Sequence, residues 1–195
     1  MGKKILLASR NRHKYEEMCA FVASFPVELL FGGDFRDLDV EETGSTYEEN
    51  ALLKAWAWSR EMALPTIADD SGLEVEALGG EPGLYSSRKG KNDTERLEWL
   101  LRALEKKENR KARFVACIAY CDASGQKEFL AYGYCEGAIA ENPRGNSGFG
   151  YDPLFIPSGY DDTLGVLGES VKSKLSHRIR ALEALLSILK KENVL

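Results

Sequence analysis

The sequence predicts an α/β domain with a mixed β-sheet and a cleft between two lobes. Strands and helices alternate in the first half of the chain, a hairpin of two apolar strands follows, and an amphipathic helix comes last. The chain has 195 residues, of which 44% are hydrophobic and 29% charged. It can therefore build a substantial core as one domain over residues 1–195.

Composition and charge exclude several functional classes. No apolar run reaches the roughly 18 residues of a transmembrane helix, and the apolar residues 5–8 are too few for a signal peptide. We therefore expect a cytoplasmic protein with no membrane partner. The net charge of -5 argues against a broad surface for a nucleic-acid polymer, although a local basic cluster can hold one small anion. The four cysteines show no metal-type Cys-x-x-Cys pair, and we expect free thiols that are mostly buried.

The first strand and the first helix meet at a polar turn. Residues 4–8 are predicted to form a strand, Ser9-Arg10-Asn11 breaks the pattern, and apolar residues three and four apart predict a helix over 12–24. The free amides and the dipole of a helix N-terminus favour an anion, and Lys14 lies one turn into this helix. An ordinary capped helix with solvated basic side chains is the simpler interpretation of this segment alone.

An acidic loop precedes the second helix. After a second predicted strand over residues 27–31, Glu41 and Glu42 lie just ahead of a capping box formed by Thr46 and Glu49. The capping box predicts a helix that continues to about residue 62. A carboxylate ahead of this helix can ligate a metal ion, and a solvated acidic loop is the alternative.

The chain is organised around the motif Asp69-Asp70-Ser71-Gly72. The apolar residues 64–68 ahead of it predict a buried strand that opens into a turn at Ser71 and Gly72. Because successive side chains of a strand point to opposite faces, one aspartate can face a cleft while the other braces the turn. Carboxylates at the end of a strand suit Mg2+, which takes oxygen ligands, whereas the aspartates of an Asx-type turn only bind local backbone amides.

The middle of the chain predicts a strand, a helix and a hairpin. Residues 73–78 alternate like a strand, and Asn92 or Asp93 can cap a helix that is rich in leucine. Apolar strands over residues 113–120 and 128–135 are joined by a turn that contains glycine, which predicts a hairpin.

Two glycine-rich loops are candidates for ligand contacts. Residues 79–88 form a candidate wall of the cleft, and residues 143–153 contain Phe149, Tyr151 and Asp152 among glycines. Glycine lets a backbone approach a ligand closely, an aromatic ring can stack on a flat base, and a carboxylate or an amide can bind the edge of that base. A strained turn whose aromatic rings fill the core is the alternative.

The last helix begins with basic residues. Ser176 is predicted to cap it, and Lys172, Lys174, His177 and Arg178 lie at or just before its first turn. Cations oppose the helix macrodipole, which favours anions at this end by ~0.3–1 kcal/mol each. We therefore predict an anionic ligand that offsets this repulsion.

These motifs, taken in order, resemble the inosine triphosphate pyrophosphatase family. The matching residues are Leu7-Ala8-Ser9-Arg10-Asn11 with Lys14, Glu41-Glu42-Thr43-Gly44 with Glu49-Asn50-Ala51 and Lys54-Ala55, Ala68-Asp69-Asp70-Ser71-Gly72-Leu73, Ala77-Leu78-Gly79-Gly80 with Pro82-Gly83-Leu84-Tyr85-Ser86, Gly148-Phe149-Gly150-Tyr151-Asp152-Pro153, and Ser176-His177-Arg178. Each motif alone is modest, but their joint occurrence in one order over nearly the whole chain is specific.

The resemblance implies a fold and an activity. The fold would be an elongated, two-lobed α/β domain with a long mixed β-sheet and a central substrate cleft, usually in a homodimer. The activity would be Mg2+-dependent hydrolysis of non-canonical purine nucleoside triphosphates (dITP, ITP and XTP) to the nucleoside monophosphate and pyrophosphate, which removes them from the nucleotide pool. A Maf-like nucleotide pyrophosphatase of other specificity and a non-catalytic nucleotide-binding module are the alternatives.

The resemblance also implies roles for individual residues. Asp70 would be the catalytic residue and, together with Glu41, would carry Mg2+. The substrate would be contacted by Ser9, Arg10, Asn11, Lys14, Lys54, Ser71, Phe149, Gly150, Tyr151, Asp152, Lys172, His177 and Arg178. In this set Ser9, Asn11, Lys14 and Lys54 would hold phosphates, and Phe149 would stack on the purine.

Substrate selection and one departure from the family pattern complete the prediction. A donor such as Arg178 or a backbone amide can bind the six-position oxygen of inosine or xanthine, but it would meet the donor amino group of adenine. Family members usually carry Thr-Gly-Asn where this chain has Ser9-Arg10-Asn11. Serine keeps the hydroxyl, whereas arginine removes the conformational freedom of glycine and adds a cation that binds phosphate or points to solvent.

Overall fold

The structure is a computed structural model that describes residues 2–35 and 38–195. Its helices are α1 (Arg12–Val22), α2 (Tyr47–Met62), α3 (Asp93–Ala103), α4 (Leu164–Leu167), α5 (Glu169–Leu175) and α6 (His177–Lys191). Its strands are β1 (Lys3–Leu7), β2 (Val27–Phe31), β3 (Thr66–Val75), β4 (Pro82–Gly83), β5 (Lys111–Cys121), β6 (Glu128–Ile139) and β7 (Phe155–Pro157). The predicted α/β class is confirmed.

The strands of the described residues form one mixed sheet. The order is β2-β1-β3-β5-β6-β7, and β4 pairs with β3 outside this path. Strand β1 runs parallel to β2 and to β3, with Leu6 opposite Thr66. Strand β4 is antiparallel to β3, and β7 is antiparallel to β6. The prediction of a mixed sheet is therefore confirmed.

The chain divides into two compact units, each with its own hydrophobic core. The first unit comprises Met1–Asp70, Ala116–Gly133 and Arg178–Leu195, and the second comprises Ser71–Val115 and Tyr134–His177. The core of the first unit includes Ile5, Leu7, Met18, Ile67, Ile118, Leu182 and Leu185. The core of the second includes Leu73, Val75, Leu100, Phe114, Leu154 and Phe155. A single-domain organisation over residues 1–195 stays a prediction.

Two helices begin with the caps that the sequence predicts. The Thr46 side chain accepts the Glu49 N–H at 3.2 Å, and Glu49 accepts the Ser45 N–H at 2.6 Å. Asn92 caps α3 by accepting the Glu95 N–H at 2.9 Å. These bonds satisfy amides that have no partner inside a helix, which fixes where the two helices start.

The predicted turn at Ser71 and Gly72 is wrong. Strand β3 runs without a break from Thr66 to Val75, and its burial is nearly continuous. Beyond the motif, Leu73 and Val75 are fully buried, and Ser86 Oγ accepts the Leu73 N–H at 2.9 Å. Burial of these apolar side chains outweighs the turn preference of the Ser-Gly pair.

The cysteines are free, as predicted. Cys117, Cys121 and Cys135 are buried and Cys19 is half-buried. Burial raises the pKa of Cys117 and of Cys121 to about 12, so both stay neutral thiols. Within the described part of the chain, none of the helices combines the length and the apolar character that crossing a membrane requires.

Candidate active site

The turn between β1 and α1 uses its polar side chains locally. Asn11 caps α1 and accepts the Lys14 N–H at 3.3 Å, while Ser9 Oγ accepts the Asn11 N–H at 3.1 Å. Arg10 is exposed and binds Asp39 at 2.9 Å. The turn is therefore an ordinary capped helix start in its hydrogen bonding, as the simpler interpretation predicts, and Arg10 points outward.

Lys14 departs from that simpler interpretation. Its ammonium contacts Asp69 Oδ2 at 2.5 Å, and Asp69 is also bound by Arg178 Nε at 3.3 Å. Arg178 Nη1 in turn binds Glu17 Oε2 at 2.8 Å. The side chains of Asp69, Arg178 and Glu17 are all at most 5% exposed. Lys14, Asp69, Arg178 and Glu17 form what we call the charge network of the first unit.

Burial and charge act against each other in this network. Burial would raise the pKa of Asp69, but Lys14 and Arg178 outweigh it and hold that pKa well below the usual range. Burial lowers the pKa of Lys14, and Arg178 and Lys54 lower it further while Asp69 opposes them. Asp69 is therefore ionised, and the crowding of cations around Lys14 favours an additional anion there.

Asp70 points to the other face of β3 and binds a different lysine. Lys54 Nζ lies 2.8 Å from Asp70 Oδ1, 2.7 Å from Glu42 Oε1 and 2.9 Å from the carbonyl oxygen of Asp69. Burial would lower the pKa of Lys54, but Asp70 and Glu42 outweigh it and raise that pKa. Burial raises the pKa of Asp70, and Lys54 opposes this shift only in part. The predicted alternation of the two aspartates therefore places Asp69 beside Lys14 and Arg178 and places Asp70 beside Lys54. The Asx-turn alternative is wrong, because both carboxylates bind cations.

The loop that carries Glu41 and Glu42 is held by α2. Asn50 Oδ1 accepts the Gly44 N–H at 2.8 Å. A Cβ at position 44 would lie 2.7 Å from that oxygen, so only glycine lets the loop approach the helix this closely. Glu41 itself is exposed, and it is Glu42 that contacts Lys54. The described residues contain no group of three or more His, Cys, Asp or Glu that could hold a metal by itself.

A second set of predicted residues lies in the second unit, around the Phe149 ring. Asp152 Oδ2 accepts the Phe149 N–H at 2.8 Å and binds Lys172 Nζ at 2.6 Å. The same Lys172 ammonium lies 3.9 Å from the centroid of the Phe149 ring, within range of a cation–π interaction. Gly148 has a φ of +80°, and a Cβ there would overlap the Asp152 carboxylate. We call Phe149, Asp152 and Lys172 the ring cluster.

His177 and Tyr151 are packed rather than exposed. The His177 ring stacks on Phe114 with centroids 4.9 Å apart and an interplanar angle of 13°. Tyr151 is buried, its hydroxyl donates to the Ser86 carbonyl at 2.9 Å, and burial raises its pKa to about 12. A cavity of about 10 Å³, room for about one water, is lined in part by Asp152, Lys172 and His177.

Two of the basic residues near the start of the last helix have partners within the protein, contrary to the expectation of an external anion. Lys172 and Arg178 have carboxylate partners inside the protein, so an external anion is not required to balance them. The contacts with Asp152, Glu17 and Asp69 offset the repulsion that the helix macrodipole predicts. Whether these cations also contact a nucleotide stays a prediction.

Sequence reasoning missed three residues that hold predicted ones in place. Glu17 binds Arg178, Phe114 stacks on His177, and Asp93 accepts the Gly150 N–H at 2.7 Å. A signal existed only for Glu17, which lies three residues after Lys14 and so shares its face of α1. The sequence pattern predicts only an ordinary strand residue at Phe114 and a helix-start residue at Asp93.

The fold and the side chains described above place the protein in a broad class. An α/β protein with a mixed sheet, buried lysine–aspartate pairs and a glycine-rich aromatic loop belongs to a broad architecture that supports many chemistries. A comparison with known proteins narrows this class: the chain belongs to the Ham1 family, whose model matches residues 5–188. The family resemblance predicted from the motifs is thereby confirmed.

Relatives of known name and structure match over almost the full length. A dITP/XTP pyrophosphatase of Aquifex aeolicus is 43% identical over 96% of both chains. A dITP/XTP pyrophosphatase of Thermus thermophilus is 46% identical over 97% of this chain and 93% of its own. The structure of a HAM1 protein from Coxiella burnetii is 39% identical, with a TM-score of 0.88, over 97% of this chain and 99% of its own.

Proposed function

We propose that the chain hydrolyses the non-canonical purine nucleoside triphosphates dITP, ITP and XTP to the nucleoside monophosphate and pyrophosphate. The observation that carries this function is its near-full-length similarity to proteins named dITP/XTP pyrophosphatase, at 43% and 46% identity. The reaction removes these nucleotides from the nucleotide pool. A Maf-like specificity has no comparable support, because the matching family is the Ham1 family.

The phosphates bind in the first unit. Lys14 and Lys54 supply positive charge beside β3, and hydrolysis of a phosphoric anhydride depends chiefly on neutralising charge and on in-line positioning. Ser9 and Asn11 add hydroxyl and amide groups at the start of α1. Arg10 forms an exposed ion pair with Asp39 and would have to break it to reach a phosphate. We therefore assign Arg10 at most a contact at the periphery of the phosphate site.

Mg2+ fits the oxygen donors that the first unit offers. Magnesium is commonly held by one or two carboxylates together with phosphate oxygens of the substrate, and Asp70 and Glu41 are carboxylates of this kind. Asp70 is 8% exposed, and its carboxylate lies beside Lys54, one of the two lysines that would hold the phosphates. When bound, the ion neutralises phosphate charge and makes the phosphorus more electrophilic.

Asp70 orients the attacking water and accepts its proton. The Lys54 ammonium at 2.8 Å holds one carboxylate oxygen, and the other oxygen can accept the water proton. Ser71, the next residue along β3, contacts the substrate.

The purine binds in the second unit. Phe149 stacks on the base, and Gly150, Tyr151, Asp152, Lys172 and His177 line its surroundings. The Phe149 N–H already donates to Asp152 and the Gly150 N–H to Asp93, so neither amide is available to bind the six-position oxygen of the purine. This leaves a side-chain donor such as Arg178, or another backbone amide, to discriminate inosine and xanthine from adenine.

The elongated shape with a central cleft, the homodimer and the cytoplasmic location belong to the same proposal. They rest on the family resemblance and on composition. Sedimentation analysis of the purified protein tests the homodimer directly, and a monomer at micromolar concentration contradicts it.

The test is the release of pyrophosphate from ITP, XTP, GTP and ATP, each with and without Mg2+. We expect rapid, Mg2+-dependent release from ITP and XTP and much slower release from GTP and ATP. Binding of ITP without turnover contradicts the enzyme and supports the non-catalytic binding module. Preferential turnover of a different nucleotide supports the Maf-like alternative.

A further inference from the structure

The loop that carries Phe149 is fixed by a residue from outside that loop. Asp93 is the first residue of α3, and its Oδ2 accepts the Gly150 N–H at 2.7 Å. Its Oδ1 accepts a hydrogen bond from Arg96 Nη1 at 2.5 Å. The two oxygens of one carboxylate therefore link the start of α3 to the middle of the glycine-rich loop.

We propose that Asp93 is a positioning residue for recognition of the purine base, acting through the Gly150 backbone. This inference rests on the proposed function, because it assigns Phe149 to the base. Gly150 follows Phe149 directly, so the orientation of the Gly150 peptide fixes the backbone from which the ring projects. The contact is charge-assisted, which makes it stronger than a bond between neutral groups.

The middle of the loop gains order from this contact because its glycines leave the backbone many conformations. Gly148 and Gly150 both have positive φ, at +80° and +63°, and glycine has the widest choice of backbone conformations. Asp152, which accepts the Phe149 N–H, ties one end of the loop to the unit, since it also binds Lys172 at 2.6 Å. The bond from Gly150 to Asp93 ties the residue that directly follows Phe149.

A role in helix stability alone is the competing explanation, and the neighbouring residue separates the two. A carboxylate in the first turn of α3 also stabilises the helix dipole. Asn92 caps the same turn through the Glu95 N–H and has no bond to the loop among the contacts described here. Asn92→Ala therefore weakens the helix start while it leaves the bond from Asp93 to Gly150 in place.

The experiment compares Asp93→Ala, Asp93→Asn and Asn92→Ala with the unchanged protein. We expect Asp93→Ala to raise KM for ITP about five- to tenfold with little change in kcat, which is less than the full strength of a charge-assisted hydrogen bond because the Phe149 ring itself is retained. Asparagine keeps an oxygen that can accept the Gly150 N–H, so Asp93→Asn should recover most of the lost affinity. Asn92→Ala should leave KM unchanged.

Product inhibition localises the defect. Inosine monophosphate carries the base and pyrophosphate does not, so Asp93→Ala should weaken inhibition by inosine monophosphate and leave inhibition by pyrophosphate unchanged. Equal weakening of both, or a KM rise in Asn92→Ala that matches Asp93→Ala, would overturn the assignment.

Amide hydrogen exchange separates failure of this proposal from failure of the proposed function. Asp93→Ala should speed exchange at residues 148–152, and Asn92→Ala should not. Unchanged exchange in that loop overturns the positioning role, whatever the activity. If the unchanged protein releases no pyrophosphate from ITP or XTP, the proposed function fails and the positioning of a base-binding loop fails with it, even if exchange shows that Asp93 holds the loop.

Discussion

The charge network of the first unit and the ring cluster of the second are built on different physical principles. Lys14 of the charge network binds Asp69, and the neighbouring Lys54 binds Asp70 and Glu42, so each cation already has an anionic partner. The Phe149 backbone is held by N–H bonds to the carboxylates of Asp152 and Asp93, and the Lys172 ammonium lies 3.9 Å from the centroid of the ring. Under the proposed function, a phosphate would therefore compete with internal carboxylates, whereas a base would stack on a ring whose backbone is already held in place.

This difference indicates that a bound substrate would gain free energy chiefly from ion pairs in the first unit and chiefly from aromatic stacking in the second. Ion pairs that are buried recover only part of the desolvation cost of their charges, so a network of them can respond to an added anion. Stacking depends on contact area and geometry and changes little with charge. Substitutions should accordingly affect rate and stability in the first unit and affinity for the base in the second.

The largest effect is expected for Asp70→Asn. Removal of a general base lowers kcat by about 10²- to 10⁴-fold, and the amide keeps the size of the side chain so that the fold persists. Pyrophosphate release from ITP measures the rate, and the unfolding midpoint checks the fold. Asp34→Asn, which removes an exposed partner of Arg12, is the matched control and should be active. Near-normal activity in Asp70→Asn would remove Asp70 from the mechanism.

Substitution of the adjacent aspartate, Asp69, should lower the stability of the protein. Asp69→Asn leaves the half-buried Lys14 and the buried Arg178 without their shared carboxylate, which should lower the free energy of unfolding by about 3–5 kcal/mol. Urea unfolding followed by circular dichroism measures this change. Asp34→Asn should lose at most about 1 kcal/mol, because its ion pair is exposed. Equal stability of the two variants contradicts a structural role for the charge network.

In the ring cluster, Phe149→Ala should raise KM for every purine substrate. Base–aromatic stacking contributes about 1–3 kcal/mol, which corresponds to roughly 5- to 150-fold. Steady-state kinetics with ITP and XTP measure the change, and Tyr160→Ala tests the loss of a more exposed ring from the same unit. An unchanged KM in Phe149→Ala would mean that the ring only fills space.

The smallest expected effect is a difference between the two regions in how strongly inhibition depends on salt concentration. Raising the ionic strength from about 0.05 to 0.3 M should weaken inhibition by pyrophosphate several-fold and leave inhibition by the uncharged nucleoside inosine nearly unchanged. The reason is that the Debye length shortens and screens an anion that binds lysines. Parallel changes for both inhibitors would erase the distinction between the regions.

Local signals in the sequence predict the start of the helices well. Asn11, Thr46 and Asn92 each cap a helix through the amide three residues ahead, and such bonds depend only on neighbouring residues. The Ser71-Gly72 turn failed for the opposite reason. Its outcome depends on Leu73 and Val75, whose burial is decided by distant parts of the chain.

The candidate site shows the same limit. Its residues could be named from motifs, but their partners could not, because Glu17 and Arg178 are 161 positions apart in the sequence. The basic start of the last helix therefore suggested an external anion where the protein supplies its own carboxylates. Asp93 gave no distinctive signal, since an aspartate at a helix start is common for reasons of local stability.

The contact between Asp69 and Arg178 also has a consequence for biosynthesis. The two residues are 109 positions apart, and Arg178 is the later one. At translation rates of about 5–20 residues per second, Asp69 leaves the peptidyl-transferase centre roughly 5 to 20 s before its arginine is made. During that interval Lys14 and Lys54 are the cations already available to this aspartate, so a nascent chain that reaches only residue 177 carries the motif of the site without its complete charge balance.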